Sequence, residues 1–125
     1  MTPDTVRVLS PAERPEVGVL GPDGQGSARA IVWPGVGAQA RTMHLLSLPA
    51  GAVSRELGHS GEAVYYVLAG TGVVHDADAG TATELVEGSM AHVEPGTRYS
   101  FAAGTDGLEL VGGPGPADPD LYRER

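Results

Sequence analysis

"LGHSGEAVYYVLAG", residues 57–70, runs from a short polar approach into an unbroken apolar stretch and stops at a glycine. The apolar stretch is rich in β-branched and aromatic residues, which pack well on a pleated, half-buried surface. Side chains alternate faces along a strand. Ala63, Tyr65 and Val67 therefore share one face, and Val64, Tyr66 and Leu68 share the other. In the polar approach only His59 has the chemistry of a ligand or a base.

Strand-like stretches recur on both sides. "SARAIVW" (27–33) is stopped by Pro34 and Gly35, and "ARTMHLLSL" (40–48) by the turn "PAG". "GTGVVHD" (70–76) runs into the turn "ADAG" and returns as "TATELVEG" (81–88), a hairpin. "SMAHVEPG" (89–96) and "RYSFAA" (98–103) read as another pair around a Pro-Gly turn, and "GLELVGG" (107–113) as the last strand. The pattern amounts to about eight short strands with no helical periodicity, so the expected class is all-β, closed into a barrel or sandwich. Residues 1–26 read as an irregular arm broken by Pro3, Pro11 and Pro15, residues 27–113 as the barrel, and 114–125 as a Pro-rich tail.

Composition narrows the function classes. A chain of 125 residues, 41% hydrophobic, has room for one domain and one core. The net charge of −8 argues against nucleic acid, whose phosphates need a basic patch, and against an anionic membrane surface. With no cysteine there is no disulfide, thiolate ligand or cysteine nucleophile. "MTPDTVRVLSPAERPE" shows no apolar leader, and the longest apolar run, "AVYYVLA", falls short of the ~20 residues of a membrane span. A cytoplasmic location is the expectation. "GVGAQA" (35–40) has no third glycine for a dinucleotide loop, and "DADAG" (76–80) reads as a turn rather than a calcium loop.

Two glycine-punctuated blocks carry a resemblance. The first runs Gly51, Leu57, His59, Ala63, Gly70; the second runs Gly88, Glu94-Pro95-Gly96, Tyr99, Ala103. Their spacing resembles the paired motifs of the cupin superfamily, over roughly residues 40–112. The resemblance implies a small single-domain cupin, an all-β jelly roll or double-stranded β-helix barrel. In metal-using cupins three histidines and a glutamate converge on a divalent ion. Here those positions hold Leu57, His59, Ala63 and Tyr99. Divalent ions held by nitrogen and oxygen need about three or more protein ligands in fixed geometry. The usual cupin metal is therefore expected to be absent, and the cofactor is unknown. Glu62 neighbours the glutamate position, but strand parity turns it away from the cavity.

The same resemblance points His59 and Tyr99 into the mouth of the barrel. A histidine of pKa ~6.5 accepts a proton near neutrality and a tyrosine of pKa ~10 supplies one. The leading expectation is a small enzyme, serving a biosynthetic pathway, that performs isomerisation, cyclisation or dehydration with His59 and Tyr99 as its catalytic pair. The expected substrate-binding lining is Leu57, Ala63, Tyr65, Val67, His92 and Phe101, apolar enough for an apolar or aromatic small molecule. His92 is expected to share the cavity with His59, and Arg55, Glu56 and Arg98 to stand near the mouth. A non-catalytic module that binds or senses a small molecule is the alternative. A metal-dependent enzyme with non-standard ligands from His44, His59, His75 or His92 is the third reading. The face carrying Val64, Tyr66 and Leu68 also needs cover, and the resemblance implies a homodimer.

Overall fold

The computed structural model describes residues 6–18 and 25–122. Among the described residues six antiparallel strands form one sheet: β1 (Ser27–Val32), β2 (Met43–Leu48), β3 (Glu62–Asp76), β4 (Thr81–Leu85), β5 (Met90–Val93) and β6 (Tyr99–Gly115). Their order is β1-β2-β6-β3-β4, with β5 paired to β3. Among the described residues no helix is long and apolar enough to cross a membrane.

The strands are fewer and longer than the pattern suggested. The stretches 62–70 and 70–76 join into β3, and 98–103 and 107–113 join into β6. Both long strands bend where their register slips, between Val67 and Ala69 and between Gly70 and Gly72. The bend needs glycine. Gly70 has φ +86° and Gly107 φ +76°, and a Cβ on Gly70 would run into the Gly107 carbonyl. The first half of β3 pairs with the last half of β6, Leu108–Gly115, and its second half pairs with the start of β6, Tyr99–Ala103. The sheet therefore folds over itself at these bends.

A strip at 52–57 completes the second layer. Ser54 N–H donates to the Phe101 carbonyl at 2.8 Å, and Leu57 and Tyr99 exchange two backbone hydrogen bonds at 2.7 and 2.8 Å. The expected pairing of 89–96 with 98–103 does not form. β5 pairs with β3 instead, Ala63 opposite Val93 and Val64 opposite His92. The Pro95-Gly96 turn thus carries the chain from one layer to the other.

The two layers bury Leu46, Leu48, Val67, Leu108 and Leu110 together with Tyr65, Tyr99 and Phe101. Burying a side chain of this size stabilises by about 1.5–3 kcal/mol each, set against the conformational entropy lost in ordering the chain, while strand pairing satisfies the buried backbone. On the outer face Val64, Tyr66 and Leu68 remain 37%, 38% and 41% exposed. In the arm, Val17 N–H donates to Ala28 at 2.9 Å and Ala30 N–H to Pro15 at 3.1 Å, which covers the edge of β1. The remainder of the expected arm, residues 1–5 and 19–24, lies outside the described residues, as do 123–125.

Candidate functional site

His59 sits just past the 52–57 strip, in the glycine-flanked stretch Gly58–Gly61 that crosses to β3. Its ring is bonded at both nitrogens. Nε2 lies 2.7 Å from the Tyr99 hydroxyl, and Nδ1 lies 2.7 Å from Asp118 Oδ2. Tyr99 in turn meets the Tyr65 hydroxyl at 2.6 Å. The four side chains make one row, Asp118–His59–Tyr99–Tyr65.

Donor inventory gives the row its direction. A carboxylate only accepts, so Nδ1–H of His59 donates to Asp118 and leaves the Nε2 lone pair free. Nε2 accepts the Tyr99 O–H, and the Tyr99 oxygen accepts from Tyr65. Burial pushes both phenols well above the ordinary tyrosine value. At Tyr99 the neighbouring Tyr65 hydroxyl and the negative charge of Asp118 push further the same way. Both phenols are therefore neutral donors. Ring packing fixes them: Tyr65 and Phe101 meet edge to face with centroids 4.9 Å apart, and Tyr99 and Phe101 at 5.7 Å.

Two hollows flank the row. A cleft of about 500 Å³ opens between the edge strands β4 and β5, walled by Val74, Thr83, Leu85, Ala91 and Val93, and reaches Tyr99. On the other side a hollow of about 190 Å³ is lined by Arg55, Glu56, Gly58, Asp118 and Leu121. Tyr99 thus borders one hollow and Asp118 the other, with His59 between them. His59 does not line the larger cleft itself; it stands behind Tyr99.

The other expected lining residues divide. Leu57, Ala63, Tyr65, Val67 and Phe101 all face inward, none more than 3% exposed, but against the expectation none of them lines the larger cleft: they form the packed wall behind Tyr99, and Leu57 borders the smaller hollow. His92 does not join His59, which corrects the expectation of a shared cavity. It faces the outer side at the rim of the cleft, 2.9 Å from Glu62 Oε2, with half its side chain exposed. The reason is register: Val93 stands opposite the inward Ala63, so His92 stands opposite the outward Val64. Glu62 points outward as parity required. Arg98 is held on the surface by Asp78, at 2.8 and 3.0 Å.

His44 is buried away from the row, bonded to the Gly112 carbonyl at 3.3 Å and the Tyr122 hydroxyl at 2.7 Å. Burial lowers its pKa to about 4, so it is neutral and spent on structure. His75 lies on the β3–β4 hairpin. Among the described residues no three or more His, Asp or Glu side chains converge as a metal group. At the four positions where metal-using cupins place ligands, Leu57 and Ala63 have no donor atom. His59 has both nitrogens engaged, and burial keeps Tyr99 from ionising. These residues do not fit a resident divalent ion.

Asp118 is the site residue that sequence reasoning missed. It lies in the Pro-rich tail, which turns back across the barrel. Ala117 N–H donates to Gln39 at 2.8 Å, Leu121 is buried, and Asp118 Oδ1 accepts the Asp120 N–H at 3.0 Å. "DPD" signals a turn, but nothing local tells which partner the first aspartate meets.

The Cupin_2 family, "Cupin domain", matches residues 44–111. This chain belongs to the cupin family. Solved structures similar to this cupin include the polyketide cyclase RemF from Streptomyces resistomycificus, with a TM-score of 0.72 and 18% identity over 88% of this chain and 80% of that one. An RmlC-like cupin from Shewanella frigidimarina gives a TM-score of 0.70 at 17% identity, covering 88% and 90% of the two chains. A single-residue variant of the oxalate decarboxylase of B. subtilis gives 0.74 at 17% identity over 95% of this chain, which spans 32% of that longer protein. At these identities the likeness is one of fold. No curated protein matches the chain.

Proposed function

We propose that this cupin is a small cytoplasmic enzyme that moves a proton on a carbonyl-bearing small molecule, an isomerase, cyclase or dehydratase. The observation that carries the reading is the row Asp118–His59–Tyr99, with Tyr99 alone of the three bordering the larger cleft.

The chemistry follows from the direction of the hydrogen bonds. A C–H bond beside the substrate carbonyl breaks, and its proton passes to the Tyr99 oxygen as the proton of Tyr99 passes to His59 Nε2. The electron pair stays on the substrate as an enolate. His59 becomes an imidazolium, and the Asp118 carboxylate 2.7 Å away stabilises that charge. The raised pKa of Tyr99 makes a free phenolate costly, so the two transfers are concerted through the row. Returning the proton to another carbon isomerises the substrate. Giving it to a departing hydroxyl dehydrates it, and attack by the enolate on a second carbonyl cyclises it. One relative in fold, RemF, is a polyketide cyclase, which is compatible with the last outcome. The exposed Val64, Tyr66 and Leu68 support a homodimer, which light scattering reads directly.

The test uses 1-tetralone, an uncharged ketone whose neighbouring C–H exchanges slowly, in deuterated buffer. Proton NMR follows the loss of that C–H signal. The reading expects exchange accelerated by the protein and abolished by His59→Ala and by Tyr99→Phe. Acceleration untouched by both variants overturns it. Binding of the ketone with no acceleration favours the alternative, a cupin that binds or senses a small molecule without turning it over.

A further inference from the structure

The β4–β5 cleft has a charge character of its own. The protein carries eight basic residues, all arginine, and none of those in the described residues lines the cleft. Its lining instead carries the acidic residues Asp76, Glu84 and Glu94, of which Glu84 stands on the outward parity of β4 opposite Val73, while Thr83 and Leu85 face the cleft. His92 also stands there, and its pKa is raised by the hydrogen bond to Glu62. Any positive charge it holds is met by Glu62 at 2.9 Å and Glu94 at 3.8 Å. His75 lines the same rim beside Asp76. Within the walls, Thr81, Thr83 and Thr97 offer hydroxyls that both donate and accept, between the apolar surfaces of Val74, Leu85 and Val93. The occupant must reach Tyr99 between two stacked sheet layers, which lie about 10 Å apart in folds of this kind.

From this geometry we infer that the cleft admits uncharged or cationic flat molecules bearing hydroxyl or carbonyl oxygens, and turns away anions. Among the described residues carboxylates, phosphates and substrates tethered to an anionic carrier find no arginine in the cleft to meet them, the charge of His92 is already balanced by Glu62 and Glu94, and carboxylates surround the entrance. This inference rests on the cleft being the substrate site of the reaction proposed above. It names the class of molecule that the site takes.

Three ring systems matched in shape test it at neutral pH: 2-naphthol, 2-naphthylmethylammonium and 2-naphthoate. Each is titrated into the full-length ¹⁵N-labelled chain, and the amide shifts of Thr83, Leu85 and Val93 report the cleft. The expected result is that the neutral and cationic compounds shift these amides, with naphthoate weaker by about tenfold or more. The double variant Glu84→Gln/Glu94→Gln should narrow that gap, because it removes rim charge and leaves the walls intact. Naphthoate binding as tightly as naphthol overturns the inference. So does shifting of amides elsewhere on the chain, or no binding by any of the three. The readout involves no turnover, and the exchange test above uses an uncharged ketone. Charge selection can therefore fail while the Tyr99–His59 relay stands, and the relay can fail while charge selection stands.

Discussion

Asp118 Oδ2 lies 2.7 Å from His59 Nδ1, although 59 residues of chain separate them. The His59 side chain is 2% exposed and the Asp118 side chain 16%, so the contact is largely withdrawn from water. Hydrogen bonds that involve a charged group contribute more in such places than on the surface. The pair ties the tail to the barrel and sets which nitrogen of His59 carries the proton.

Replacing Asp118 therefore has two separable effects. Asp118→Ala should lower unfolding free energy by about 1.5–3 kcal/mol, read from urea denaturation. Asp118→Asn keeps the shape but can present an amide donor to Nδ1. The ¹⁵N shifts of the His59 ring should then move from a single Nδ1–H tautomer toward Nε2–H, and proton transfer on 1-tetralone should slow with it. An unchanged tautomer would show that Asp118 does not orient the ring.

The two buried tyrosines should differ in cost. Tyr65→Phe removes the last donor of the row and leaves the Tyr99–His59 bond in place, for about 1 kcal/mol. Tyr99→Phe strands both His59 Nε2 and the Tyr65 hydroxyl without partners. At about 1–3 kcal/mol for each orphaned buried group, its loss should be at least twice that of Tyr65→Phe. Denaturation midpoints of the two variants, measured side by side, check the order.

Acid should destabilise the fold through His44 before the carboxylates titrate. Burial, above all, lowers its folded pKa from 6.5 to about 4. The unfolded chain then binds this proton more readily than the folded one, so stability falls as pH drops from about 6.5 and levels off below about 4. A shift of this size corresponds to roughly 3 kcal/mol across that window. His92 acts in the opposite sense. Its pKa is raised by the bond to Glu62, so its stabilisation is present at low pH and is lost as pH rises through that value. That pair is exposed and screened by salt. Thermal melts at high ionic strength should isolate the His44 slope, and His44→Gln should flatten it.

The bend in β3 depends on a residue without a Cβ. Gly70→Ala forces a side chain onto φ +86° and into the Gly107 carbonyl. A loss of about 1–3 kcal/mol is expected, with tilting of the two layers visible as amide shifts at Leu108 and Val67. Gly80→Ala at the β3–β4 turn has a similar φ of +71° but open space around it, and should cost less.

The alternation of Ala63, Tyr65 and Val67 against Val64, Tyr66 and Leu68 was legible because strand parity is a local property of the backbone. It also turned Glu62 outward, where the structure has it beside His92. The glycines at 51, 70, 88 and 96 were legible from their place in the two motif blocks that carry the cupin resemblance, and all four adopt positive φ. The expectation that His92 shares a cavity with His59 failed because parity within β5 says nothing about register across to β3. Only the pairing of Val93 with Ala63 decides which residue of β5 faces in.

By itself the sequence determined the fold family, the inward and outward faces of its strands, and the substitution of Leu57, Ala63 and Tyr99 where a metal site would need ligands. These are matters of residue type and short spacing. The tertiary structure alone decided that two pairs of short strands fuse into the bent β3 and β6, that His59 stands behind Tyr99, and that Asp118 closes the row from the tail. Each of those depends on contacts between segments far apart in the chain, and no local propensity encodes where a Pro-rich tail will dock.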